Sequence, residues 1–443
     1  MRWVILSLIV LVTVINILDR GTLNYMWQDA KDNDTGAIIQ HGIVSDLHIL
    51  SNSLSEDERH QKGKEVLALI NIAFMLAYGV SQLVSGSMYD RVGTRKGFSI
   101  SAFIWGVSIA LTSLVTGIRQ LTFFRVMLGL GEAGPWPGTT KSNAEWFPIK
   151  ERALAQGFFG AASSLGNLLV PVIIPLLFLS LGWRQTFVIL GLLCLVWIPI
   201  WYFINKTSPK NHPWITEKEK DHILTGQGKI EIIEQHILSV GQLARDKRSY
   251  AVIVSRFFLD PVWWMFMTWL PIYLMEVYKL NLSDVASVAW IPFVGAGVGS
   301  LAGGWWAGRL IEKGHSAIKA RKICIAIGGT LIVPGMIGAA FAPTGLSASL
   351  MLMFILGGFQ FAITNIQTLP SDFHSGKTVG TLAGMGGASA VLGIVISTYL
   401  VPILTRGQNW VPFFAMGLLL IPLSIISVFL FCPTNEEIIP NHE

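Results

Sequence analysis

Long runs without a charged residue dominate the chain. Residues 4–18, 66–89, 97–118, 153–183, 185–205, 285–308, 323–371, 378–405 and 407–435 contain no Asp, Glu, Lys or Arg. A bilayer core of roughly 30 Å takes about 20 helical residues. Residues 323–371 are long enough for two crossings, broken by Pro343-Thr344-Gly345. Two further apolar stretches carry isolated charges: 121–141 holds Arg125 and Glu132, and 251–275 holds Arg256 and Asp260. The pattern predicts an all-α integral membrane protein with twelve transmembrane helices in two six-helix bundles. A membrane β-barrel would show short alternating segments instead, and the sequence has none.

Composition agrees. The 443 residues are 52% hydrophobic and 13% charged, against about 25% charged in soluble domains, and mean hydropathy is +0.56. Most of the soluble world is thereby excluded. With the N-terminus placed in the cytoplasm, cytoplasmic segments hold 20 of the 32 basic residues and the other side 8. The positive-inside rule then puts both termini in the cytoplasm. It also explains the net charge of +5 without a nucleic-acid partner. The first apolar run lacks a small-residue cleavage site and is interrupted by Asp19-Arg20, so it reads as an uncleaved helix. Cys194, Cys324 and Cys432 fall in or beside apolar runs. Neither a disulfide framework nor a metal site is expected, nor any cofactor.

One long connection divides six helices from six, giving units 1–205 and 250–443 around a central loop, 206–249. An internal repeat supports the division. Gly86-Ser-Met-Tyr-Asp90-Arg91-Val-Gly93-Thr-Arg95-Lys96 follows the second helix. Gly304-Trp-Trp-Ala-Gly308-Arg309-Leu-Ile-Glu-Lys313-Gly314 follows the eighth, 218 residues later. The loops after helices four and ten also correspond, Glu145-Trp-Phe147-Pro against Asp372-Phe373-His374. Parallel six-helix repeats are a transporter architecture.

Gly-x-x-x-Asp-Arg-x-Gly-x-Arg-Lys in the first of these loops resembles the signature of the major facilitator superfamily. Asp90 is expected beside the N-terminal end of the next helix and a basic cluster that includes Arg91 and Arg95. Such a charge-and-dipole latch forms in one conformation and breaks in the other; the plain alternative is a short basic loop. The second copy has Gly308 where an acid would stand, so gating is expected to be asymmetric. Asn16-Ile-Leu-Asp19-Arg20, Arg125-x6-Glu132, Glu145-Trp-Phe-Pro-x-Lys-Glu-Arg152-Ala and Gly182-Trp-Arg184-Gln-Thr-Phe187 resemble the anion:cation symporter branch. Arg256-Phe-Phe-Leu-Asp260-Pro-Val-Trp-Trp264, Asn365-Ile-Gln367-Thr-Leu-Pro-Ser-Asp372 and Trp136-Pro-Gly-Thr-Thr-Lys141 are similar to hexuronate and related sugar-acid transporters. The polar loop 27–64 has no obvious counterpart.

Ionisable residues inside a span cost about 2.5–3.5 kcal/mol each on insertion scales and are functional candidates by default. An anion needs a fixed cation, and a guanidinium fork matches a carboxylate; Arg20 and Arg125 are the candidates. None of the nine histidines lies in a span, which leaves Asp19 and Glu132 to carry protons. Each acid is expected to neutralise its neighbouring arginine when substrate is absent. Arg256 and Asp260, spaced i, i+4, are either an intrahelical ion pair or part of the site. Tyr78 and Gln82 match cavity-facing polar positions of the family, or else bond a neighbouring helix. Trp264, Asn365 and Gln367 would suit a sugar acid. Asn33-Asp-Thr35 fits a glycosylation acceptor that a bacterial protein leaves unmodified.

The resemblance implies a monomeric secondary transporter of the bacterial inner membrane that couples protons to the uptake of a hexuronate or similar small organic anion by alternating access. A sodium-coupled or broader organic-anion carrier (aldonate, aldarate, aromatic acid) is the rival within transport. No nucleophile motif, phosphate loop or metal spacing supports an enzyme.

Overall fold

A computed structural model describes residues 1–31, 37–50, 56–227, 238–280, 285, 287–374, 378–405 and 409–433. Asn33 and Thr35 lie outside the described residues. Helices account for nearly all of the fold: α1 (Arg2–Tyr25), α2 (Ile43–Asp46), α3 (Glu56–Thr112), α4 (Ile118–Glu132), α5 (Pro135–Trp146) and α6 (Ile149–Ile204). After α7 (Glu217–Gly226) and α8 (Val240–Leu243) come α9 (Lys247–Tyr278), α10 (Ile291–Glu312), α11 (Ala317–Ala340) and α12 (Gly345–Ile366). α13 (Leu369–Phe373), α14 (Val379–Leu404) and α15 (Val411–Phe431) complete the chain. Eight helices among the described residues are long and apolar enough to cross a membrane. Two of these, α3 and α6, are folded in two at Gly93 (φ 79°) and Gly182 (φ 82°), a backbone region open to glycine at little cost. The α4–α5 stack, broken before Pro135, and the glycine-rich α10 bring the crossings to twelve.

The crossings gather into two bundles with separate cores. Residues such as Val12, Phe98, Trp105, Leu128 and Phe187 pack in the first, and Phe266, Met336, Ile355 and Phe413 in the second. Large apolar side chains also point outward, Leu69, Val80, Val172, Leu392 and Leu430 among them, as a lipid-facing surface requires. Arg2 bonds Glu151 at 2.9 Å, Arg321 bonds the Ile149 carbonyl at 3.1 Å, and Lys322 bonds the Cys432 carbonyl at 3.1 Å. Met1, the start of α6, the start of α11 and the end of α15 therefore share one face, the terminal face.

The bundles meet from the terminal face to mid-membrane, and bare backbone makes the meeting possible. A Cβ on Gly86 would lie 2.3 Å from the Gly380 carbonyl oxygen, and one on Gly304 would lie 2.3 Å from that of Ala153. These are corresponding positions of the sequence repeat. Gly157 meets Ser300 in the same way. At the opposite face α1 ends and the connection to α3 begins. There the polar loop after α1 folds back over the first bundle. It contains a small hairpin, Ala30–Lys31 paired with Ile38–Gln40, that the all-helical expectation did not include. Asp46 anchors it, accepting from Arg184 at 2.9 Å and Trp183 Nε1 at 3.2 Å. A cleft of about 520 Å³ beneath is lined by Asn24, Tyr25, Trp27, Leu67 and Phe178.

Candidate functional site

Asp19 and Arg20 are adjacent on α1, about 100° apart around the helix, so they cannot share one face. Arg20 turns toward Tyr78 of α3 and keeps 17% of its side chain accessible; Asp19 turns inward and is fully buried. Arg20 Nε donates to Glu132 Oε2 on α4 at 3.0 Å, and Nη2 donates to Asn16 Oδ1 at 3.3 Å. Its guanidinium lies 4.9 Å from the centre of the Tyr78 ring and 5.9 Å from that of Phe74. Asp19 accepts from Trp105 Nε1 at 3.1 Å. The expected pairing of each acid with its sequence neighbour is therefore corrected: Arg20 takes Glu132, and Asp19 takes Trp105.

Arg125 is corrected in place as well as in partner. Seven helical residues separate it from Glu132, a rise of about 10 Å, too far for a direct bond. It is 3% exposed and lies against the Phe187 ring of α6, inside the first bundle. Its Nε and Nη2, with Asp19 Oδ1, Glu132 Oε1 and Asn16 Nδ2, have no hydrogen-bond partner among the described residues. Such a cluster of unsatisfied polar groups is rare in a packed interior. Two acids and two arginines from α1 and α4 thus share one buried site, with Arg20 as its accessible edge.

The other candidates separate by what they touch. Tyr78 and Gln82, one turn apart on α3, both reach the junction: Tyr78 carries Arg20, and Gln82 faces Gly384 and Gly387 of α14. Gln367 accepts from Gln156 of the first bundle at 2.8 Å. Together with Trp136, Thr140, Arg256 and Pro370 it lines a small pocket between the bundles. Asn365 does not face this space; fully buried, it donates to the Gly303 and Phe361 carbonyls at 3.2 and 3.0 Å and ties α12 to α10. Trp264 is half-buried, while its neighbour Trp263 stacks on Phe359 at 5.4 Å. Arg256 and Asp260 form a two-armed pair, both contacts at 3.2 Å.

At the terminal face Asp90 does not cap the helix that follows it. It accepts from the backbone N–H groups of Gly380 and Thr381 at 3.0 and 2.6 Å and from Thr381 Oγ1 at 2.7 Å, capping α14 of the opposite bundle. Lys141 completes the contact at 3.1 Å. Arg91 is exposed, and Arg95 bonds the Tyr202 and Lys206 carbonyls of its own bundle; neither reaches across. Sequence reasoning passed over Arg152 and Arg321 as crossing groups. Arg152 donates to the Ser371 carbonyl, and Arg321 bonds both Asp372 and the Ile149 carbonyl. The matched loops at Glu145 and Asp372 were the available signal. Gly308, the counterpart of Asp90, simply lies against Lys150, so the acid-on-helix contact is one-sided.

A site of buried opposite charges at the junction of two six-helix repeats defines a membrane transporter, and the comparisons with known proteins say of which kind. The Major Facilitator Superfamily profile matches residues 9–384, and the chain belongs to that family. It is 30% identical to the hexuronate transporter of Escherichia coli K12, over 94% of this chain and 90% of the relative. It is 28% identical to the galacturonate transporter of Dickeya chrysanthemi, over 77% and 92%. A probable L-galactonate transporter of Escherichia coli K12 is 30% identical over 74% and 72%. The fold is also that of a proton:xylose symporter bound to 6-bromo-6-deoxy-D-glucose, with TM-score 0.66 and 16% identity over 97% of this chain and 96% of that one. A major facilitator transporter in the outward conformation matches at TM-score 0.66 and 14% identity, over 98% and 99%.

Proposed function

We propose that the protein is a proton-coupled symporter of a hexuronate or related sugar-acid anion, working by alternating access in the bacterial inner membrane with both termini cytoplasmic. The Arg20–Glu132 contact carries the reading. Arg20 is the one member of the four-charge site with an open edge, and its Nε is taken by Glu132. A substrate carboxylate that takes the fork displaces Glu132. An unpaired charge is costly inside a span, so the displaced acid takes up a proton. When Glu132 is ionised it re-pairs with Arg20 and excludes the substrate. One cation thus serves two carboxylates in turn, which links the two movements. Asp19, held by Trp105 and near Arg125, is the second proton-carrying group. Tyr78 and Gln82 bound the substrate space, and Asp90 holds the terminal face shut while the other face loads.

The sugar-acid substrates named for the three relatives support this class of cargo. The test is uptake into proteoliposomes of radiolabelled D-glucuronate, D-galacturonate and an aldonate under imposed pH and sodium gradients. Concentrative uptake driven by the pH gradient is expected. Glu132→Gln should abolish accumulation while leaving exchange across equal pH intact. Accumulation by that variant would remove Glu132 from coupling, and dependence on sodium alone would remove the proton.

A further inference from the structure

We infer that Arg256 and Asp260 form a hydroxyl clamp in the second bundle, which holds the polyhydroxylated part of the ligand while Arg20 in the first holds its carboxylate. The inference rests on the sugar-acid reading and names the part of the ligand that each bundle recognises.

Among the described residues the second bundle has two buried arginine–aspartate pairs, and the difference between them is informative. Arg321–Asp372 is sealed, with side chains 0% and 1% exposed, and it spends a guanidinium nitrogen on a backbone carbonyl of the other bundle. That pair is built to hold helices together. Arg256–Asp260 keeps 9% and 12% exposure, and Arg256 lies on the wall of the inter-bundle pocket. This one is left open on one side.

The open side has the chemistry of a diol receptor. A paired guanidinium and carboxylate carry no net charge, so they do not compete with Arg20 for the ligand's anionic end. Their outer edge still offers N–H donors beside carboxylate lone pairs, and adjacent hydroxyls of a sugar ring can both donate and accept. Trp136 and Thr140 of the first bundle line this small pocket together with Arg256 and Gln367 of the second. They supply a ring for the C–H face of the sugar, a hydroxyl and an amide. Gly386 leaves room for the arginine, since a Cβ there would come within 3.1 Å of Arg256 Cδ. Arg20 lies 4.9 Å from the centre of the Tyr78 ring, and Tyr78 is within electrostatic range of Arg256 as well. A ligand spanning that ring touches both bundles, and closure around it requires both of its ends.

The probes are D-glucuronate and cyclohexanecarboxylate, a ring of the same size with one carboxylate and no hydroxyls. Full-length protein in proteoliposomes is assayed for the KM of glucuronate uptake and the Ki of cyclohexanecarboxylate, with monodispersity on size-exclusion chromatography as the control for folding. Removing hydrogen-bonding groups from a site built for hydroxyls should raise the glucuronate KM by about tenfold or more in Asp260→Asn and Arg256→Gln. The Ki of the hydroxyl-free acid should stay near the wild-type value. Arg20→Gln should weaken both probes together. The charge-free pair Arg256→Met with Asp260→Leu separates the roles further: a structural ion pair tolerates such a swap, whereas a clamp loses glucuronate selectivity. A glucuronate KM unchanged in the single variants or in the double variant overturns the clamp alone. A wild-type protein that transports neither glucuronate nor another sugar acid overturns the sugar-acid reading, and the clamp with it.

Discussion

Replacing Asp90 with Asn should open the terminal face. Asp90 accepts four hydrogen bonds, three of them from the opposite bundle and the fourth from Lys141. Hydrogen bonds to a charged partner contribute about 1.5–3 kcal/mol each, and an anion at a helix N-terminus adds about 0.3–1 kcal/mol. Asn keeps the shape and one acceptor oxygen, but it presents an NH₂ to donors and removes the charge. A loss of about 3 kcal/mol from closure is a conservative figure, and it shifts the open–closed equilibrium by roughly a hundredfold. A native reporter exists. Cys324 is a free, fully buried thiol clustered with Ala153 of the first bundle and with Ala307 and Phe361 of the second. In a Cys194→Ser, Cys432→Ser background, maleimide labelling of Cys324 reads the fraction of time that this junction is parted. Labelling in Asp90→Asn should accelerate by at least about tenfold, the rate following the open population. Labelling at the parent rate in a folded, monodisperse variant would refute the latch.

Two further outcomes follow from particular contacts. Gly86→Ala places a methyl group 2.3 Å from the Gly380 carbonyl oxygen; overpacking of this kind costs about 1–3 kcal/mol, so the same thiol assay should show opening and uptake should fall. Asp246, just before α9, is pushed up by burial, but bonds from the Arg248 side chain and backbone N–H outweigh that and hold it below the usual carboxylate range, with His374 also favouring its charge. A depressed folded-state value stabilises above the unfolded value and is lost as pH falls through the folded one. Asp246→Asn should therefore lower the melting temperature equally at pH 6 and pH 8, and the difference should shrink below about pH 4.

The helices were legible because a charge-free run of about twenty residues matches the thickness of a bilayer and exceeds what a soluble core needs. Their grouping was legible because the segment at Gly86 recurs at Gly304. The residues of the charged site were legible for the same reason in reverse: Asp19, Arg20, Arg125 and Glu132 are expensive where they stand. What the sequence hid was direction. Adjacent residues on a helix diverge, so Asp19 and Arg20 could not pair, and which neighbour each meets depends on how α1 packs against α3 and α4. The partner of Asp90 was hidden by distance, since Thr381 lies 291 residues away. Asn365 looked like a sugar ligand because an amide inside a span has either a ligand or a backbone carbonyl to satisfy, and only packing decides which.

The four-charge site has an electrical consequence. Asp19 and Glu132 balance Arg20 and Arg125 in formal charge, and Asp260 balances Arg256, so these six charges of the empty site sum to zero. A reorienting protein that is neutral inside does no work against the membrane voltage, whereas each uncompensated charge carried across costs or gains about 2.3 kcal/mol per 100 mV. Under the proposed coupling, a bound monoanion adds one negative charge, a proton on Glu132 cancels it, and a second proton on Asp19 leaves one positive charge in excess. The loaded site then carries charge across while the empty site returns neutral. A cell would draw on its membrane voltage as well as the pH difference to fill itself, and depolarising the membrane would slow the traffic.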